Sequence, residues 1–160
     1  MGKTLQPTHL RNTVDSILAF GFGAGLSKFA PGTVGTIAAV PLVWFLSYLP
    51  AYLYLTLVFV GLAFGIGICE RVSVRLGEAD PSSIVWDEII GFAIAMSFAP
   101  KILILWLAGF FIFRFFDILK PWPIKMVERK YSGGFGIMLD DVIAGFFTFL
   151  VLQLLVFYVV

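Results

Sequence analysis

A chain of 160 residues is long enough for one domain, and at 60% apolar and 13% charged residues, with 18 phenylalanines, it is neither disordered nor an ordinary water-soluble fold. A net charge of +1 leaves no basic excess for nucleic acid. The single Cys69 and single His9 exclude an internal disulfide, a multi-cysteine metal site and chemistry that needs two histidines.

Charge is absent from residues 29–69, 89–100, 102–113 and 142–160. Runs of this length are what a bilayer requires, so the sequence reads as one all-α, polytopic membrane bundle over residues 1–160. The first 20 residues lack the pattern of a cleaved signal peptide. An amphipathic segment is expected at about 12–20, followed by five spans. Pro50 separates the first two, at about 36–49 and 51–69; the first contains Pro41 and is short for about 30 Å of hydrocarbon. Asp80 before Pro81 predicts a helix start, with Asp80 as N-cap and Pro81 in the first turn, and a span over about 81–99. A fourth span is expected over 101–120, stopped by Pro121 and Pro123, and a fifth over about 139–158.

With a cytoplasmic N-terminus, every Lys and Arg except Lys101 falls on the inner side, as the positive-inside rule demands. All the acidic residues fall there too, although the rule is indifferent to them. Asp87, Glu88, Asp117, Asp140 and Asp141 stand out within this group. Asp87 is followed one turn later by Gly91, and Asp141 by Gly145; a small residue there lets a neighbouring helix approach beside the carboxylate. Acids at membrane depth are costly unless paired or metal-bound. Taken singly, each reads equally well as a helix cap or as a partner of Arg114, Lys120 or Arg129. Taken together they form a site for a hard divalent cation such as Mg²⁺, which keeps waters and phosphate oxygens among its ligands. Asp80 reads as a cap only, and Asp15, Glu70, Glu78 and Glu128 as solvated.

Two glycine-rich stretches accompany the acids. Residues 21–36 contain Gly32, Thr33, Gly35 and Thr36 beside Lys28, a set able to offer backbone N–H groups, hydroxyls and a cation to phosphate oxygens. The spacing is not that of a P-loop. Residues 132–136 read as a flexible loop leading into a helix N-terminus just before Asp140. Cys69 and Arg75 have the spacing of a cysteine phosphatase loop, but Glu70 is adjacent and no glycine opens the segment, so Cys69 reads as a packing residue.

Four segments resemble the bacterial phosphatidylglycerophosphatase A family. They are Phe22 and Gly23 with residues 30–36 (Ala-Pro-Gly-Thr-Val-Gly-Thr), 84–91 (Ile-Val-Trp-Asp-Glu-Ile-Ile-Gly), 113–124 (Phe-Arg-Phe-Phe-Asp-Ile-Leu-Lys-Pro-Trp-Pro-Ile) and 133–145 (Gly-Gly-Phe-Gly-Ile-Met-Leu-Asp-Asp-Val-Ile-Ala-Gly). The resemblance implies Mg²⁺-dependent hydrolysis of the terminal phosphomonoester of phosphatidylglycerophosphate, a phospholipid substrate in the bilayer. It does not assign residue roles.

From the residues themselves, Asp87, Glu88, Asp117, Asp140 and Asp141 are the expected metal and catalytic groups. Lys28, Gly32, Thr33, Gly35, Thr36, Arg114 and Lys120 are expected on the phosphate, and the site faces the cytoplasm from the inner membrane. Water and a carboxylate both remain open as the attacking group. The competing class is a membrane transporter or binding protein for an anionic phosphorylated solute, which Gly/Pro-interrupted spans and intramembrane acids also suit. Oligomeric state is not legible.

Overall fold

The computed structural model describes residues 14–159. The start of the expected amphipathic segment, Asn12 and Thr13, lies outside the described residues, as do Lys3, His9 and Arg11. The helices are α1 (Val14–Ala19), α2 (Pro31–Leu46), α3 (Ala51–Leu76), α4 (Trp86–Ala95), α5 (Leu103–Leu119), α6 (Ile124–Lys130) and α7 (Gly133–Val159), with a 3₁₀ turn at Gly21–Leu26. Among the described residues there is no strand, as an all-α reading requires.

Proline and left-handed residues set the boundaries. Pro31 occupies the first turn of α2, and Pro50 precedes α3. Gly77 closes α3 at φ +70°, where its N–H reaches the Ser73 carbonyl at 2.9 Å. Lys120 closes α5 at φ +43°; the following Pro121 disfavours a continued helix. Asp15 on α1 is clasped by Arg71 of α3 at 2.9 Å from both Nε and Nη2, and these bonds hold its carboxyl below the usual carboxylate range.

Several expected boundaries shift: the first span is Pro31–Leu46, the second runs on to Leu76, and two helix starts near the acidic residues move most consequentially. The helix placed at 81–99 is only the ten-residue α4, and Asp80 does not cap it. The N–H of Val85 is taken by the Ala19 carbonyl at 2.8 Å, and the fully buried Val85 side chain packs where Gly21, Gly25 and Gly35 leave room. This tertiary contact delays the helix by five residues and moves Asp87 and Glu88 into its first turn, where the helix dipole favours negative charge. Conversely, α7 begins at Gly133 rather than near 139, so residues 133–136 are helix and not a loop. Its start is pinned by Glu70, whose carboxylate accepts the Gly134 N–H at 2.5 Å. Asp140 and Asp141 therefore lie two turns inside α7.

α4 is the centre of the bundle. Seven of its ten residues are buried, and it packs on α2, α3, α5 and α7. Trp86 and Ile90 fit over Gly65 and Gly61 of α3, and the Trp86 indole donates to the Gly61 carbonyl at 3.0 Å. The other end of α4 is buried as well, so its terminal carbonyls need partners. The Tyr54 hydroxyl donates to the Ala93 carbonyl at 2.6 Å, Ser97 Oγ to the same oxygen at 3.2 Å, and Gln153 Nε2 to the Ser97 carbonyl at 3.1 Å.

At 1.5 Å per residue, α3 and α7 rise about 40 Å, α2 and α5 about 25 Å and α4 about 15 Å. Among the described residues, Ala51–Leu76 and Gly133–Tyr158 are the two helices long and apolar enough to cross a membrane. The exterior is apolar over much of the bundle: Phe45, Phe59, Phe64, Phe111 and Phe157 are each about two-thirds exposed or more.

Candidate active site

The N-termini of α2 and α4, the C-terminus of α5 and the second turn of α7 meet around a cleft of about 300 Å³. Its walls carry Gly32, Asp87, Glu88, Arg114, Asp117, Lys120, Asp140 and Asp141, eight of the residues singled out by sequence. They come from four separate segments of the chain. The close approach of α4 and α7 at Gly91 and Gly145 brings Asp87 and Glu88 onto Asp141.

Within the cleft the carboxylates divide. Asp87, Glu88 and Asp141 each present an oxygen within 4.8 Å of the other two. Asp87 Oδ1 and Glu88 Oε2 are fully buried and lack a hydrogen-bond partner. Burying an unpaired carboxylate oxygen is expensive, and three acids this close repel one another, a repulsion that a cation would offset. All the donors are oxygens, which suits Mg²⁺ and not a thiophilic metal. The two remaining acids have close cationic partners. Asp117 pairs with Arg114 one turn earlier on α5. Asp140 receives Lys120 Nζ at 2.5 Å and accepts the Asp141 N–H at 3.1 Å.

Arg114 ties the walls together. Its Nη1 lies 3.8 Å from Glu88 Oε1 and donates to Thr36 Oγ1 at 3.4 Å, while Thr36 donates to the Gly32 carbonyl at 2.9 Å. Its buried Nε has no partner, so one guanidinium donor remains for an anion. Gly32 is needed for space: a Cβ there would meet Glu88 Oε1 and sit 3.2 Å from both Arg114 Nη atoms. Lys120, held also by Glu128 at 2.8 Å, supplies the second cation.

Four expected phosphate residues stand apart from these walls. Lys28 is exposed, Thr33 is half-buried, Gly35 receives the Val85 side chain, and the buried Thr36 contacts Arg114. Sequence reasoning passed over Asp80 and Ser82, which line the cleft mouth. Desolvation at that mouth lifts the Asp80 carboxyl above its usual range, with Lys120 opposing. Treating Asp80 as a cap concealed it; its place in the acidic stretch before Asp87 was the available signal.

Cys69 is fully buried in mid-helix, with Sγ 3.8 Å from Met138 Sδ. It and Arg75 belong to one continuous helix, α3, and form no anion-binding loop.

The family profile described as phosphatidylglycerophosphatase A matches residues 17–156. A phosphatidylglycerophosphatase A from Escherichia coli strain K12 is 45% identical over 81% of this chain and 76% of its own. A phosphatidylglycerophosphatase A from Haemophilus influenzae is 43% identical over 92% of this chain and 87% of its own. A third relative, from Bacteroides thetaiotaomicron, is 38% identical over 85% of this chain and 89% of its own, and is named for a phosphatidylinositol-3-phosphatase. No solved structure matches the chain. By the profile and by these relatives, the chain belongs to the phosphatidylglycerophosphatase A family of phosphatase enzymes.

Proposed function

We propose that this protein removes the terminal phosphate of phosphatidylglycerophosphate in a Mg²⁺-dependent reaction, at the cytoplasmic face of the bacterial inner membrane. The observation that carries the chemistry is the buried convergence of Asp87, Glu88 and Asp141, with Asp87 Oδ1 and Glu88 Oε2 unpartnered, beside an Arg114 whose Nε has no partner. The observation that carries the substrate is the name shared by the family profile and by the two relatives at 45% and 43% identity.

Asp87, Glu88 and Asp141 would hold Mg²⁺. When bound there, the ion supplies Lewis-acid polarisation of the phosphoryl group and lowers the pKa of water. Arg114 and Lys120 neutralise charge on the phosphoryl oxygens as it spreads in the transition state. Thr36 orients Arg114 through the 3.4 Å contact, and Asp117 holds the same Nη1. Asp140 fixes Lys120. Asp80, at the exposed edge of the same cleft, would deliver a proton to the leaving alkoxide.

The membrane reading uses α2, α3, α4, α5 and α7 as embedded segments. α4 reaches only part way and is sheltered by the other four, the setting in which a short helix and its broken ends are tolerated at membrane depth. The exposed phenylalanines face lipid, and all the acidic residues stay on the cytoplasmic side.

Purified protein, assayed for inorganic phosphate, tests the substrate. Phosphatidylglycerophosphate is expected to be hydrolysed, with phosphatidylinositol 3-phosphate slower by at least about tenfold. Equal or better turnover of the inositol lipid would reassign the substrate, and release from neither would reinstate the transporter reading.

A further inference from the structure

Helices α2 and α5 run antiparallel and touch at two levels. At one, Arg114 meets Thr36; at the other, Trp44 and Trp106 pack edge to face with centroids 4.7 Å apart. The levels are eight residues apart on each helix, about 12 Å along the axes. Along this seam lies a second cavity, an open trough of about 530 Å³ between the two helices. Ile37, Val40 and Pro41 form one side, and Leu107, Phe110 and Phe111 the other. No charged side chain borders it.

The trough is continuous in the sequence of its walls with the carboxylate cleft. Arg114 is one turn beyond Phe110 and Phe111, Thr36 is about one turn or less before Ile37 and Val40, and Gly32 lies one turn before Thr36. One seam thus offers cations and acids at its end and only hydrocarbon along its length. That division matches an amphiphile with a phosphorylated headgroup and a linear apolar tail. The trough is also open sideways: Ile37, Leu107 and Phe111 are roughly half or more exposed, so a chain can enter from the bilayer without crossing water.

We infer that the α2–α5 trough binds an acyl chain of the phospholipid whose headgroup occupies the cleft. This deepens the proposed function and rests on it. The bound chain orients the phosphomonoester toward Arg114 and Asp141, so that remote apolar contacts contribute to positioning the reacting group.

The test uses phosphatidylglycerophosphate carrying a photoactivatable diazirine in the acyl chain, with the full-length protein in nanodiscs. Label is expected in the peptides holding residues 37–41 and 103–111, and excess unlabelled lipid should displace it. Leu107→Trp fills the trough at an exposed position; it should cut labelling and raise KM for the long-chain lipid about tenfold, with kcat within about twofold, since the cost is lost apolar burial. Phe59→Trp, on the exposed face of α3, should change neither. Val40→Trp serves as a second filling variant. Labelling spread evenly over α2, α3 and α5, or unchanged by both filling variants, would overturn the trough. The two readings fail separately: displaceable trough labelling without phosphate release contradicts the activity alone, and phosphate release with even labelling contradicts the trough alone.

Discussion

Gly91 of α4 and Gly145 of α7 hold their backbones together at the root of the carboxylate cleft. A Cβ on Gly91 would lie 2.7 Å from the Asp141 carbonyl oxygen, and one on Gly145 would overlap the Gly91 carbonyl. This contact sets the distance between the helices that carry Asp87 and Asp141. Gly145→Ala should force them apart. In an open helix the change would gain about 1 kcal/mol of propensity, but overpacking here costs about 1–3 kcal/mol and should dominate. The expected result is a lower unfolding temperature in detergent together with weaker Mg²⁺ activation. An alanine variant as stable and active as the parent would mean the contact is not needed.

The carboxylates should separate from the thiol. Asp87→Asn and Asp141→Asn keep volume and lose the charge; each is expected to lower kcat at least about a hundredfold, the scale of removing a group that stabilises transition-state charge. Cys69→Ser should stay within about tenfold, because Cys69 packs against Met138 and touches no part of the cleft. Steady-state phosphate release from all three variants checks this, with circular dichroism showing that each is folded.

The spacing of Asp87 to Gly91 and of Asp141 to Gly145 was readable because helical geometry alone puts a residue and its i+4 neighbour on one face. The all-helical class and most of the cleft followed from charge placement. The start of α4 was not readable: a capping Asp80 with Pro81 is locally sound, and only the distant Ala19 carbonyl and the room around Gly35 explain why the helix waits until Trp86. The start of α7 failed for a similar reason. Paired glycines favour a loop by propensity, but Gly134 is pressed on the Ile66 carbonyl and bound by Glu70 of α3. Nor could the sequence divide five acids into three that converge and two held by close hydrogen-bonded ion pairs, since that depends on the reach of Arg114 and Lys120.

Arg114 is held by Asp117 and Thr36 through one nitrogen, Nη1, which leaves the separate Nε donor for substrate. A lysine retains the charge but not the fork. Arg114→Lys should therefore lose activity by at least about tenfold, mainly in kcat. Thr36→Val should lose less, since it removes one contact to the guanidinium and leaves Asp117. Kinetic constants for both variants decide whether Arg114 acts through geometry or charge alone.

Topology follows from the charge pattern and the helix order. Lys101 stands at the turn before α5, bonded to the Ser47 carbonyl at 3.2 Å beyond the end of α2, whereas Gly77 closes α3 beyond its basic end. Cysteines introduced at these two positions in a Cys69→Ser background should react with an impermeant thiol reagent from opposite sides of sealed vesicles. Reaction of both from one side would contradict the proposed arrangement of spans.

The central claim is that Asp87, Glu88 and Asp141 form a Mg²⁺ site that drives phosphate release from a lipid. Its most direct measurement is inorganic phosphate released from phosphatidylglycerophosphate by purified protein, titrated with Mg²⁺ after thorough chelation, for the parent chain and for Asp141→Asn. The account predicts no turnover in chelator, saturable recovery with Mg²⁺ in the parent, and in the variant either no recovery or recovery only at much higher Mg²⁺. Full turnover of the parent in chelator, or an unchanged Mg²⁺ dependence in a fully active Asp141→Asn, would contradict it.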